Sequence, residues 1–596
     1  MPTAFRFQHL PPEIRNAIYK EYFYVPNGYT FNFATRKVEA VGDNGERLPI
    51  CQQLRFTCKQ IARETDGMAL ACNFIGFSTE YSDEMRVKAA RFGSCRSLLF
   101  DLADIWLQVS FGEEPQRQNI LTEVIEREVV LKYPKAVPLL RATVEDNDEW
   151  GEDEGWQDGE DEDEDDRDDT WGLVPSYRRR ATFHAIDLAV QHDLIPANVK
   201  SLNCHSPEKT VLMDKLYPPW HCHPTDEDLD RLVGPVRMRF DQMAEYWERP
   251  HVNEIGERQH NQGKYRFSAT SLAIKFLSLF PEHLRTHIRR IRLREDAVSV
   301  SNPECHAQGL IPFCIENPLL RVERRLDLWG NVFQSVYANN KESSSSPEKM
   351  WLRNKDRPEG SGLWSLPLTN RVALWVMEAM ALTESGMPRG SFKLILDAGP
   401  APKECSEIFR KVIQRDAAWQ TMWGMVVDDT NPQLSLYWRK NCHCYLYDGF
   451  PQAITDIVSG TSDMIKCTFE PGPQKWDAME EFQSYRFLNF DKLDMLRSDQ
   501  AVFIKMPPST PSWANRLAEN ILPEFFETNE EELEFMIDPE TRHFLGVPGQ
   551  DDETTEDHDD EWEGAEEEES DEEEELYEQG DEFYEEAEES DEEEKL

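Results

Sequence analysis

Four local groupings of cysteine and histidine are the first candidates for chemistry: Cys204-His205, His221-Cys222-His223, Cys305-His306 and Cys442-His443-Cys444. Thiolate and imidazole are good zinc ligands. None of the four shows the Cys-x-x-Cys spacing of a zinc knuckle, and adjacent residues on a strand point to opposite faces. Ordinary core or surface residues are therefore expected, and no metal or cofactor is assigned. The alternative is a zinc site joining Cys204 to His221 or His223. Arginines form a second group: Arg178-Arg179-Arg180, then Arg289-Arg290 with Arg292 and Arg294, then Arg321 to Arg325. Such runs can hold phosphate. A chain of net charge −50 would repel nucleic acid at long range, so pairing with nearby acids is the expected role.

The motifs of common enzymes are missing. There is no glycine-rich phosphate loop of either the Walker or the Gly-x-Gly-x-x-Gly type. There is no Gly-x-Ser-x-Gly elbow and no His-Glu-x-x-His helix. Carboxylate pairs carry no information among 114 acidic residues. No catalytic residue is assigned, and the chain is read as a non-enzyme. Ser570 and Ser590, each followed by Asp-Glu-Glu, resemble acceptor sites of the acidophilic casein kinases. Trp562, Tyr577, Phe583 and Tyr584 interrupt the acidic run around them, a pattern of segments that bind basic, partly apolar partners.

These residues have to be held by regular elements. Leu10-Pro11-Pro12-Glu13 opens a helix expected to reach about Phe23, because proline suits a first turn and Glu13 complements its positive end. Leu10, Ile14, Ile18 and Tyr22 recur every four residues and mark one apolar face. Two short strands follow at Tyr29–Phe33 and Val38–Val41. A second helix is expected from Leu54 to Met68, then a strand at Phe74–Phe77. Helical patterns cover Asp83–Val109, Ile120–Leu140, Arg180–His192, Asp226–Trp247, Glu404–Met422 and Ala514–Phe526. Ser435–Tyr447 reads as strand-rich, and Asn339–Lys349 as a surface loop. Two units share a helix–turn–strand design. They are Ser268–Leu279 with Ile288–Leu293, and Thr369–Leu382 with Phe392–Leu396. They imply a sheet flanked by helices in the second half.

Charge divides the chain. Glu145 to Asp169 holds 17 acidic residues and one arginine, and Asp551 to Leu596 holds 29 acidic residues and one lysine. Removing both from the total of −50 leaves −6 on the other 525 residues. Repulsion and the scarcity of apolar residues predict that both acidic segments stay disordered. The rest is apolar enough to bury a large core. No run of about 18 apolar residues suggests a membrane span, and no secretory leader is recognised. The 12 cysteines are scattered, which fits reduced thiols in cytoplasm or nucleus. The expected fold class is mainly α with α+β elements. Its parts are a helical module at 1–80, a helical extension at 81–144, an acidic linker or loop at 145–170, a helix/sheet body at 171–545 and an acidic tail at 546–596.

Two blocks near the N-terminus carry a family resemblance. His9-Leu10-Pro11-Pro12-Glu13-Ile14-Arg15-Asn16-Ala17-Ile18-Tyr19 resembles the opening of the F-box-like proteins abundant in filamentous fungi. Leu54-Arg55-Phe56-Thr57-Cys58-Lys59-Gln60-Ile61-Ala62-Arg63-Glu64 is similar to their Thr-Cys-Arg-Gln-Ile-x-x-Glu helix. The likeness covers roughly residues 5–80. It implies a small helical module that docks on the adaptor subunit of a cullin–RING ubiquitin ligase while the remainder selects a substrate. Leu10, Pro11, Glu13, Ile14 and Ile18 would form the partner-binding face. Unlike a standard F-box, the two helical blocks are separated by Tyr24–Gln53. The other placement packs Leu10, Ile14 and Ile18 against Leu54, Cys58 and Ile61 as a local core.

The expected function is thus an F-box-like protein-interaction protein, recruiting substrates to a ligase. The alternative is an acidic scaffold or chaperone-like binder of basic proteins, in which the tail is the working part.

Overall fold

The two helix–turn–strand units of the second half are present, and their strands run parallel in one large sheet. The computed structural model describes residues 7–42, 45–108, 120–141, 172–195, 206–236, 251–252, 258–259, 263–335, 365–430, 432–493 with short gaps, and 513–523. Both acidic segments, the loop at 339–349, Cys204, His205, His443, Ser570 and Ser590 lie outside the described residues.

Eight strands make the sheet: β1 (Tyr29–Asn32), β2 (Lys37–Val41), β3 (Arg47–Pro49), β4 (Phe74–Ser78), β5 (Arg290–Glu295), β6 (Arg321–Asp327), β7 (Phe392–Asp397) and β8 (Ile465–Cys467). Their order is β8-β7-β6-β5-β4-β1-β2-β3. Every pair from β8 to β1 is parallel, and β2 and β3 add an antiparallel edge. The fold is therefore mixed α/β, with more sheet than periodicity alone suggested. The joint lies between β4 and β5, where Ile75 faces Ile291 and Phe77 faces Leu293. One sheet thus unites residues 29–78 with residues 290–467.

The main helices are α1 (Pro12–Phe23), α2 (Lys59–Glu64), α3 (Met68–Cys72), α4 (Asp83–Gln108), α5 (Pro175–Gln191), α6 (Ala269–Leu279), α7 (Ser365–Glu384) and α8 (Gln414–Thr430). Two expectations are corrected. The single helix over Leu54–Met68 is a 3-10 turn at Gln53–Phe56 followed by α2, because Cys58 leaves the helical region and caps α2 instead. Gly67, at φ +67°, separates α2 from α3. The strand over Ser435–Tyr447 is not formed among the described residues; Tyr447 forms an isolated β-bridge to Gly172.

The two faces of the sheet differ in kind. On one, Ile75, Phe77, Ile291, Leu293, Val322, Leu326, Leu394 and Leu396 are buried. Phe276 of α6 packs there on Phe31 and Phe77, with ring centroids 5.8 and 5.6 Å apart. On the other face Arg290, Arg294, Arg321, Lys393 and Lys466 are exposed.

A charged pair is buried within the packed face. Arg324 of β6 donates from Nη2 to Oε1 of Glu295 on β5 at 2.8 Å, with side chains 1% and 0% exposed. Glu295 also accepts from the amides of Ala269 and Thr270 at 3.1 and 3.2 Å, so it sits at the positive N-terminus of α6. The Arg324 guanidinium lies 4.6 Å from the ring centroid of Trp375 on α7. One ion pair therefore fixes β5, β6, α6 and α7 together.

Candidate interaction site on the N-terminal helix

Helix α1 starts without a side-chain cap. Pro12 occupies its first turn, where a missing N–H leaves nothing unpaired, and Glu13 and Lys20 complement the two ends. Its packed face is Arg15, Tyr19 and Phe23. The neighbouring stripe, Ile14, Ile18 and Tyr22, is 49%, 43% and 43% exposed. Leu10 is half-buried, and Pro11 and Glu13 are exposed.

What the packed face meets is the second motif block. Arg15 grips Glu64 with both arms, Nη2 to Oε1 at 2.7 Å and Nε to Oε2 at 3.0 Å. Tyr19 donates to Glu64 Oε2 at 2.8 Å, and Gln60 donates to Oε1 at 2.9 Å. These donors, Arg15 foremost, pull the Glu64 carboxyl down to about 2. Burial is the main reason the Tyr19 hydroxyl is pushed up to about 12. The Cys58 Sγ accepts from the Ile61 amide at 3.5 Å and from Gln8 at 3.4 Å. Tyr19, Phe23 and Ile61 form a small core with Phe7, Leu54, Cys58 and Met68 around it. At the far end Asn73 donates to the Phe23 carbonyl at 2.7 Å and accepts from the Val25 amide at 2.8 Å. That ties the end of α1 to the start of β4.

The local-core placement of Ile14 and Ile18 is corrected by this geometry. Leu54, Cys58 and Ile61 do build a core, but Tyr19 and Phe23 fill it. An arginine at the start of the packed face hid that face from a hydrophobic-periodicity reading. The signal was available as one arginine in the first block and one glutamate in the second, a complementary pair.

The other candidates resolve differently. Cys222, Cys305, Cys442 and Cys444 are buried free thiols. Cys222 donates to the Ser271 carbonyl at 3.4 Å. His223 lies between Phe33 and Phe267, at 4.5 and 5.2 Å. Among the described residues no three metal-ligating side chains converge. His306 Nδ1 accepts from Ser268 and Ser271 at 2.7 and 2.9 Å, and its Nε2 donates to the Ser301 carbonyl at 2.7 Å. Burial drives its pKa down to about 3, so the ring is neutral. Ser268, Ser271 and His306 are each no more than 1% exposed. The two serines and the histidine thus form a hydrogen-bonded group within the core. The expected arginine–acid pairing holds for Arg178, which reaches Asp104 at 2.9 Å, and for Arg324 and Arg325. Arg292 and Arg294 make no ion pair among the described residues. No helix among the described residues is long and apolar enough to cross a membrane.

Comparison with protein-family models, with curated proteins and with solved structures finds no match to this chain.

Proposed function

We propose that this chain is an F-box-like protein-interaction protein whose helix α1 docks on the adaptor subunit of a cullin–RING ubiquitin ligase. The observation that carries the reading is the Ile14–Ile18–Tyr22 stripe, apolar and exposed on a helix whose other face is clamped. Side chains four residues apart on a fixed helix are anchors of the kind that enter a partner's groove. The Arg15–Glu64 clasp holds the helix still, so little ordering remains to be done on binding. The family resemblance names the partner. The rest of the chain then presents the substrate-selecting surface.

The test is co-purification of the full-length chain with the adaptor subunit, comparing wild type with Ile14→Asp and Ile18→Asp. Both positions face solvent, so circular dichroism should be unchanged. A charge forced into a buried contact costs several kcal/mol, so recovery of the adaptor should fall at least tenfold. Wild-type protein that is folded and still recovers no adaptor would remove the ligase role.

A second reading rests on charge alone: the 29 acidic residues from Asp551 to Leu596 would bind basic proteins. It requires binding that weakens steeply with salt and vanishes when residues 551–596 are removed. Histone binding unchanged by that deletion would end it.

A further inference from the structure

The two faces of the sheet are buried to different degrees. Parallel strands are almost always covered on both sides, yet here one face presents cations to solvent. Registry sets them in rows. Gly76, Arg292, Glu323 and Lys393 lie side by side across β4 to β7. Two residues further along, Ser78, Arg294, Arg325 and Ile395 form the next row, which Lys466 continues on β8. Phe74, Arg290 and Arg321 form a third row at the amino ends. Neighbouring strands stand about 4.8 Å apart, and same-face residues recur about every 6.6 Å along a strand.

The acids on and beside this face have partners of their own: Asp296 accepts from the Thr79 hydroxyl, and Asp463 pairs with Arg389 while its charge also acts on Lys393 and Lys466. Arg325 holds Glu323 at 3.0 Å and Asp397 at 3.2 Å. Asp327 turns to the amides of Trp329 and Gly330, at 2.9 and 2.8 Å. Arg292, Arg294, Lys393 and Lys466 are left without an ion pair among the described residues. Arg292 does not sway freely, because its guanidinium stacks 3.9 Å from the Phe74 ring centroid. Held in place, it loses little entropy on meeting a carboxylate.

We propose that this open face docks an extended acidic segment of a partner protein, one with aromatic residues interspersed among its acids. An extended chain repeats its same-side groups at the 6.6 Å spacing of the arginines, and a guanidinium takes a carboxylate through two parallel bonds. Ile395, half-buried among the cations, offers a place for a ring. Single-stranded nucleic acid fits less well. It needs bare aromatic platforms for its bases, whereas Phe74 is capped by Arg292 and the central row carries Glu323.

The experiment uses full-length protein and a chain ending at Gln550, because residues 551–596 are themselves acidic and resemble the probe. The probe is a fluorescent synthetic peptide copying residues 566–590, which combines dense Glu with Tyr577, Phe583 and Tyr584. Anisotropy should show binding by at least one of the two chains. Arg294→Glu with Lys393→Glu, and separately Arg292→Gln with Arg294→Gln, should each weaken it at least tenfold with circular dichroism unchanged. A peptide with every Glu replaced by Gln should not bind. No binding by either chain, or binding indifferent to both variants, overturns the proposal. Tighter binding of a poly(U) oligonucleotide than of the peptide, lost in the same variants, overturns it in favour of nucleic acid.

Discussion

Two carboxylates near the N-terminus are driven in opposite directions by their neighbours. Glu64, gripped by Arg15, Gln60 and Tyr19, is held near 2. A depressed carboxyl stabilises the fold above its unfolded value, about 4.3, and that contribution disappears as pH falls towards 2. The stability difference between wild type and Glu64→Gln, followed by urea unfolding, should therefore shrink between pH 5 and 2. Glu80 is the reverse case. It is 8% exposed, its Oε1 makes no hydrogen bond among the described residues, and its Oε2 lies 3.2 Å from His223 Nε2. Burial raises it to about 9, and burial also lowers His223 to about 4. Both shifts agree on one arrangement, a protonated carboxyl donating to a neutral imidazole. A raised carboxyl stabilises fully below its unfolded value and less as pH climbs through about 9. Glu80→Gln keeps a donor and cannot ionise, so it should gain on wild type steadily from pH 5 to 9. Equal slopes for the two proteins would contradict this. At Arg324 the expected effect is larger. Arg324→Met strands the buried Glu295 charge and should cost roughly 3–5 kcal/mol, part of it restored by adding Glu295→Gln.

The elements of the N-terminal region behave as a clamp with one free side. Phe23→Ala, in the small core, should cost about 3–5 kcal/mol. Ile18→Ala, on the exposed stripe, should stay within about 0.5 kcal/mol; denaturation midpoints separate the two. Gly67 is the pivot between α2 and α3. Its φ is +67°, and a Cβ there would lie 2.1 Å from the His287 ring. Gly67→Ala should lose at least about 1–2 kcal/mol from the left-handed backbone alone, before any clash. Much of this level was legible beforehand. The start of α1, strands β1, β2 and β4, helix α4 and both helix–turn–strand units follow from proline placement, turn residues and apolar periodicity. What periodicity misread was charge inside packing. Arg15 sits on a buried face, and Arg324 and Glu295 sit within a core, because each meets a partner that sequence spacing does not reveal. The run from Arg321 to Arg325 therefore looked like a basic patch, although it is a strand that buries Val322, Arg324 and Leu326. The exposed stripe on α1 was the converse case, because its spacing alone fits either burial or docking.

At the scale of the molecule, the first 80 residues and the second half share a single sheet. Helices add to the bond: Asp104 of α4 pairs with Arg178 of α5, and Phe100 stands 6.5 Å from Phe183. Cutting the chain within residues 145–169 should therefore leave two pieces that still co-elute on size exclusion. Residues 1–145 expressed alone should aggregate, because the edge of β4 that meets β5 would be bare. Separate elution of the two pieces would refute the shared sheet. The same joint sets a timetable for folding. Phe74 is paired with Arg290, more than two hundred residues later. At synthesis rates of about 5–20 residues per second, that partner follows on the order of 10–40 s behind. Through that interval the nascent chain carries an apolar strand without its neighbour. Loop closure over such a span makes the pairing slow even when the whole chain is free. The protein should thus depend on chaperone cover while it is made, and overexpression that outruns this cover should send it to inclusion bodies.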